Sequence, residues 1–363
     1  MAPLDIAFFG SSLVSAYWNG AATYYRGILR ALAARGHRIR FYEPDAYDRQ
    51  SHRDIPDPPW AQVIVYPAEG SAGVRQSLDD ARDADVLIKA SGVGVADDLL
   101  EAEIVKLKQP SNRIVFWDVD APATLERMRR DPSDPLRRQI SRYDMVLTYG
   151  GGDPVIAAYT ALGARACVPI YNALDPSTHH PVPPDPRFAC DLVFLGNRLP
   201  DREARVDALF FDVARTCPGR RFLLGGAGWE SKSLPANVTA LGHVYTRDHN
   251  ALNSSAGAIL NISREAMAAT GFSPATRVFE AAGAAACIIT DAWKGIDRFL
   301  EPGTEILVAH SGGEVGELLA ALSPHRARAI GEAARRRVLA EHTYEHRAVC
   351  VEQALAGAGG KRA

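Results

Sequence analysis

The sequence predicts an α/β protein of two domains, each a parallel sheet covered on both faces by helices. Three observations lead there. Short, near-continuous apolar runs alternate with helical patterns through residues 1–172. A proline-rich stretch, Ala173-Leu-Asp-Pro-Ser-Thr-His-His-Pro-Val-Pro-Pro-Asp-Pro, then breaks the pattern and predicts a linker over 173–189. The alternation resumes over 190–343.

The first apolar run, 6–9, reads as a strand. A loop over 10–20 and a helix from about 21 to 35 follow. Gly36 ends that helix, with Arg35 near its negative end. Further strands are predicted at 38–42, 62–66, 85–89, 113–117 and 145–148, with helical patterns such as 97–108 and 153–162 between them. The second half predicts strands at 191–195, 221–225, 238–241, 258–262, 287–290 and 305–308. A last helix over 344–355 and a short tail close the chain.

Composition excludes several classes. At 363 residues the chain is long enough for two domains with separate cores. Hydrophobic content of 47% and charged content of 23% suit a globular protein. A formal net charge of −2 gives no general attraction to nucleic acid. Two arginine groups, Arg127/Arg129/Arg130 and Arg335/Arg336/Arg337, lie in helical patterns and read as solvated faces, compatible with weak peripheral membrane contact. The start lacks the pattern of a signal peptide, and no run reaches membrane-spanning length. Cys167, Cys190, Cys217, Cys287 and Cys350 are scattered, without metal-site spacing, and fit a reducing cytoplasm.

The most informative stretch is Asn261-Ile-Ser-Arg264-Glu265, leading to Gly271-Phe272-Ser273-Pro274-Ala275-Thr276-Arg277-Val278-Phe279-Glu280. It follows an apolar strand. Ser273 or Thr276 is placed to cap a helix that begins near Pro274 or Arg277. A helix N-terminus beside Arg264 and Arg277 suits an anion, because N–H groups, the helix dipole and guanidinium forks all favour negative charge. Glu280 lies about one turn further along, where a carboxylate accepts hydrogen bonds from a sugar diol. Diphosphate plus ribose is the footprint of a nucleotide sugar.

This block resembles the donor-binding signature of glycosyltransferases with the GT-B fold, most closely the group around the spore-maturation protein CgeB. The similarity runs from Asp191-Leu-Val-Phe-Leu-Gly-Asn-Arg198 to His342-Thr-Tyr344-Glu-His-Arg347. It implies two Rossmann-like domains facing a cleft: an acceptor-side N-terminal domain and a C-terminal domain that binds a nucleoside-diphosphate sugar. It also implies a final helix that crosses back to the first domain. No cofactor and no metal ion are expected. By the same resemblance Arg198 meets the diphosphate, the turn at His243 and Val244 holds the base through its backbone, and Glu280 anchors the ribose. Related retaining enzymes carry another glutamate at the position of Phe272, so this chain departs from their pattern. Arg202 and Arg205 read as surface residues.

Two loops of the first half are candidates for donor or acceptor contact. Gly10 and Ser11 follow the first strand, and Asn19 and Gly20 precede the first helix. Their spacing is not the dinucleotide fingerprint; Gly225-Gly-Ala-Gly228 also fails it and reads as a turn. Asp118 and Asp120 close another strand. Asp118 is the candidate general base toward the acceptor, whereas Asp120 suits a helix cap and catalysis equally. The expected activity is transfer of a sugar from a nucleoside-diphosphate sugar to an unidentified acceptor. Two alternatives stay open: an epimerase on the same fold and a non-catalytic nucleotide-sugar-binding protein.

Overall fold

The computed structural model describes residues 1–17 and 19–357. The chain divides into two compact units, one of residues 1–172 with the C-terminal helix and one of residues 173–343.

The first unit holds seven parallel strands: β1 (Asp5–Phe9), β2 (Arg38–Asp45), β3 (Gln62–Pro67), β4 (Val86–Ala90), β5 (Arg113–Asp118), β6 (Met145–Thr148) and β7 (Cys167–Pro169). Their spatial order is β3-β2-β1-β4-β5-β6-β7. The order therefore reverses between β1 and β4, where Ile6 pairs with Val86 and Phe8 with Ile88. Such a switch point opens a crevice beyond the carboxyl ends of the strands. The central strands are apolar apart from Asp5 at the start of β1 and the ion-paired Lys89 of β4, because helices cover both faces.

Helix Ala22–Ala34 packs on this sheet through Tyr25, whose ring meets Phe8 edge-on at 5.2 Å. The final helix, Tyr344–Gly357, docks on the same unit. Its first residue sets the distance: a Cβ on Gly27 would fall 2.2 Å from the Tyr344 ring. Arg35 grips Glu352 with two hydrogen bonds of 2.9 and 2.6 Å. His37 lies 3.1 Å from the same carboxylate.

The second unit holds β8 (Leu192–Leu195), β9 (Phe222–Gly225), β10 (Val238–Gly242), β11 (Ile259–Asn261), β12 (Ile288–Asp291) and β13 (Leu307–Ala309). They form a six-stranded parallel sheet in the order β10-β9-β8-β11-β12-β13, with its switch point between β8 and β11. Phe194, Phe210, Phe211, Trp229, Leu260 and Ile289 lie in its core.

The proline-rich stretch 173–189 is packed into the second unit. Ala173, Leu174, His179 and Phe188 are buried. Leu174 bridges Thr343, and its N–H donates to the His342 carbonyl at 2.8 Å. The N–H groups of Val182 and Asp185 donate to Ser254 and Ser255, at 3.2 and 2.8 Å. The prolines stiffen this segment, while its apolar residues and satisfied N–H groups hold it against helix Thr246–Ser255.

Candidate functional site

In the second unit the switch point puts two loops side by side, after β8 and after β11. The β8 loop is braced by the next one. Gly196 N–H donates to the Gly225 carbonyl at 2.8 Å, Arg198 N–H to the Ala227 carbonyl at 2.9 Å, and Trp229 Nε1 to the Gly196 carbonyl at 2.8 Å. Gly226 has φ of +120°, and a Cβ there would lie 2.3 Å from the Gly196 carbonyl oxygen. This glycine turn serves the close approach of two loops.

The arginines sort differently from the sequence expectation. Arg198 is held by Glu203 through hydrogen bonds of 2.9 and 2.7 Å, and by Ser231 at 3.1 Å. Its charge is thereby neutralised at the surface. Arg264 donates to Asp201 at 2.6 Å. Arg202, expected at the surface, instead lies with its guanidinium 5.4 Å from the Phe194 ring centroid, beside Arg277 at 5.7 Å from the same ring. Arg277 makes no salt bridge among the described residues, and its buried Nε has no hydrogen-bond partner. Burial, reinforced by the charge of Arg202 and opposed by Glu280, pulls the Arg277 guanidinium down to about 10. Burial also pulls Arg202 down. A guanidinium weakened by burial and by the neighbouring Arg202 charge describes a place that an anion would stabilise.

Helix Thr276–Gly283 carries Arg277 and Glu280 on one face, because positions three apart are neighbours. Val278, Phe279, Ala281 and Ala282 anchor its other side in the core. The residue before the helix, Ala275, makes no side-chain capping bond. The expected caps fail for a local reason: the Ser273 hydroxyl donates to the Gly271 carbonyl at 3.0 Å, while Thr276 is already helical. Phe272, in place of a carboxylate, is buried at φ +48°, its ring covered by Arg298 and Lys294.

Glu280 Oε1 lies 3.8 Å from Nε2 of His179, a residue of the proline-rich stretch. His249, from helix Thr246–Ser255, lies beside both. Its Nε2 is 3.3 Å from the Val244 carbonyl, and burial holds its imidazole below the ordinary range. Sequence reasoning missed both histidines. Val244 is buried next to them, whereas His243 is exposed, with its ring edge-on to Tyr245. The backbone turn at Gly242, with φ of +66°, sits at the carboxyl end of β10.

In the first unit the expected contact loop is filled by its own side chains. Gly10 lacks a side chain for packing: a Cβ would fall 2.5 Å from the Phe41 ring. The Ser11 hydroxyl donates to Asn19 Oδ1 at 2.9 Å, and Asn19 Nδ2 donates to the carbonyls of Ser12 and Ser15. Gly20 is exposed, with open space around it. Ser11 and Asn19 thus order the loop, and their polar atoms are spent on one another.

Asp118 is fully buried. Its Oδ1 accepts from the Ser91 hydroxyl at 2.7 Å, the Asp120 N–H at 3.0 Å and the Thr124 hydroxyl at 3.0 Å. Its Oδ2 accepts from the Tyr159 hydroxyl. Burial raises its proton affinity, against the lowering by these donors. The expectation of an acceptor-facing base is corrected here, because both oxygens are enclosed and already accepting. Asp120 precedes helix Ala121–Arg130 without a side-chain capping bond.

Burial pushes the thiols of Cys167, Cys190 and Cys287 up to about 12, and all five cysteines are free. No described helix is long and apolar enough to cross a membrane.

Two doubly wound units of parallel sheet define the class: the chain has the GT-B glycosyltransferase fold. Residues 202–353 match the family model described as "Glycosyl transferase-like". The fold is similar to that of Anabaena HepE, solved with UDP and glucose, at a TM-score of 0.71 and 13% identity, covering 98% of this chain and 100% of that one. It is also similar to sucrose-phosphate synthase from Thermosynechococcus elongatus, at a TM-score of 0.68 and 15% identity over 98% of each chain. AviGT4, a glycosyltransferase of avilamycin A biosynthesis, aligns at a TM-score of 0.62 and 18% identity over 99% of each chain. Comparison with curated proteins returned no match.

Proposed function

We propose that the protein is a glycosyltransferase that takes its sugar from a nucleoside-diphosphate sugar bound to the second unit. The single observation that carries this is Arg277: a half-buried arginine whose enclosed Nε has no hydrogen-bond partner and whose guanidinium has no carboxylate partner among the described residues, lying with Arg202 against Phe194. A diphosphate supplies the missing negative charge. Helix Thr276–Gly283 adds its N-terminal dipole to the same place. Glu280, one turn on, accepts from the ribose hydroxyls, and the turn at Gly242, His243 and Val244 receives the base.

This arrangement favours transfer as well as binding. When the bond between the sugar and the diphosphate breaks, its electron pair goes to the diphosphate. The anion gains charge, so contacts with Arg202 and Arg277 strengthen in the transition state. In this scheme the arginines do the work that a metal ion does elsewhere, and transfer is metal-independent. Arg198 and Arg264 are paired with carboxylates and serve the outer edge of the site. The HepE structure, with UDP and glucose, makes uridine nucleotides the first donors to try. The proposed location is cytoplasmic, where such donors and a chain of free thiols coexist.

Thermal-shift screening against UDP-, GDP-, dTDP- and CMP-sugars tests the reading. At ~100 times its dissociation constant the correct donor should stabilise the fold by about 2.7 kcal/mol. Turnover should survive EDTA treatment. Absence of any nucleotide-dependent shift would sink the proposal.

A further inference from the structure

We propose that His179, His249 and Glu280 form a binding site for a transition-metal ion, with Zn²⁺ the ion whose chemistry they fit. One ligand atom from each lies within 4.8 Å of the other two. The residues come from three places in the second unit: the proline-rich stretch, helix Thr246–Ser255 and helix Thr276–Gly283.

The independent sign of a ligand is His179. Its side chain is 2% exposed, and its Nε2 has no hydrogen-bond partner among the described residues. That nitrogen faces Glu280 Oε1 at 3.8 Å, beyond hydrogen-bond reach. Its other nitrogen, Nδ1, lies 3.0 Å from the Thr178 hydroxyl, which fixes the ring with Nε2 aimed inward. An orphaned buried nitrogen is costly, and the fold tolerates it where something else completes it. His249 is tethered in the same way, by the Val244 carbonyl on Nε2. Hydrogen bonds of this kind orient imidazole ligands around metals.

The donor set selects the ion. Two imidazoles and one carboxylate, with an open fourth position, suit Zn²⁺ and its neighbours rather than Mg²⁺ or Ca²⁺, which take oxygen. Zn–N and Zn–O bonds of about 2.0–2.2 Å put tetrahedral ligand atoms roughly 3.3–3.5 Å apart. The present spread closes to that through small side-chain rotations. Arg277, on the same helix face as Glu280, further disfavours an ion held by charge alone.

The site stands on this geometry. Its consequence for the donor rests on the reading of Glu280 as the ribose anchor: one carboxylate cannot serve both, so Zn²⁺ and nucleotide exclude each other. The ion is then an inhibitor that occupies the ribose position, consistent with metal-independent transfer.

The test is calorimetric titration of the EDTA-stripped, dialysed full chain with ZnCl₂, repeated on His179→Gln and His249→Gln. Unfolding curves in EDTA confirm that each variant is folded. If His179→Gln fails to fold, His249→Gln carries the test. One Zn²⁺ per chain is expected, weakened at least about 10-fold by each substitution, since even outer-shell losses cost about 10- to 100-fold. No Zn²⁺ binding, or binding that both variants retain, overturns the site and leaves two core histidines only. A final titration adds UDP to the Zn²⁺-loaded protein, where displacement is expected. Zn²⁺ lost in the variants but indifferent to UDP upholds the metal site and overturns the sharing of Glu280. UDP binding without Zn²⁺ binding overturns the metal site alone.

Discussion

Arg277 rests its guanidinium over the ring of Phe194, 5.7 Å from the centroid, with no carboxylate in salt-bridge range among the described residues. The aromatic face gives the cation a partial partner, worth less than an anion. Helix Thr276–Gly283 holds it there because its apolar side is locked in the core. The charge therefore stays in place when nothing is bound.

Arg277→Ala should weaken UDP binding about 10- to 100-fold, the equivalent of roughly 1.5–3 kcal/mol for a charge-assisted hydrogen bond. Unfolding in urea should show no matching loss of stability, because the wild-type residue has no ion partner among the described residues. Arg198→Ala, which removes a residue already paired with Glu203, should have a smaller effect on affinity. Calorimetry that ranks Arg198 above Arg277 would move the diphosphate elsewhere.

Asp118→Asn should act on stability first. The carboxylate accepts from Ser91, Asp120, Thr124 and Tyr159, and an amide NH₂ would turn a donor toward at least one of them. A loss of about 1–3 kcal/mol is expected from urea unfolding. Transfer per folded molecule should persist within roughly 10-fold, whereas a lost general base costs about 10²–10⁴-fold. A stable variant that is inactive would restore the base role.

Glu280→Gln should reduce discrimination between ribonucleotide and 2′-deoxyribonucleotide donors, because the neutral amide accepts less strongly from the diol. Competition binding with UDP and dUDP measures it. Equal binding of the two by the parent protein would remove Glu280 from the ribose.

The C-terminal helix should loosen in acid. Hydrogen bonds from Arg35, and then His37, hold the Glu352 carboxyl at about 2, below its ordinary 4.5, against the opposing effect of burial. A depressed carboxylate contributes stability that is present above the ordinary value and is lost as pH falls toward about 2. Amide exchange in Tyr344–Gly357 should rise through that window. Glu352→Gln should flatten the dependence; an unchanged profile would assign the acid response to other carboxylates.

Fold and site were legible to different depths. Central parallel strands covered on both faces carry apolar runs in sequence, so β1, β4, β5, β8 and β12 could be read to within one residue at each end. Arg277 and Glu280 were legible because they share one short helix, where spacing alone puts them on a common face. Arg202 was not. Its position in the first turns of helix Pro200–Val206 resembles any solvated arginine, and only the packing of that helix beside Phe194 turns it inward.

The sequence by itself determined the local features: two runs of alternating strand and helix, the loop-to-helix turn that carries Arg277 and the carboxylate of Glu280 one turn beyond it. These follow from the periods of backbone geometry, which act over a few residues. Tertiary structure alone decided burial and partnership. It enclosed Asp118 with hydroxyls from Ser91, Thr124 and Tyr159, neutralised Arg198 with Glu203, and left Arg277 without a salt bridge among the described residues. It also brought His179, His249 and Glu280 together from three separate segments. Desolvation and Coulomb forces depend on distance in space, and the parallel crossovers of each sheet bring together residues far apart in the chain.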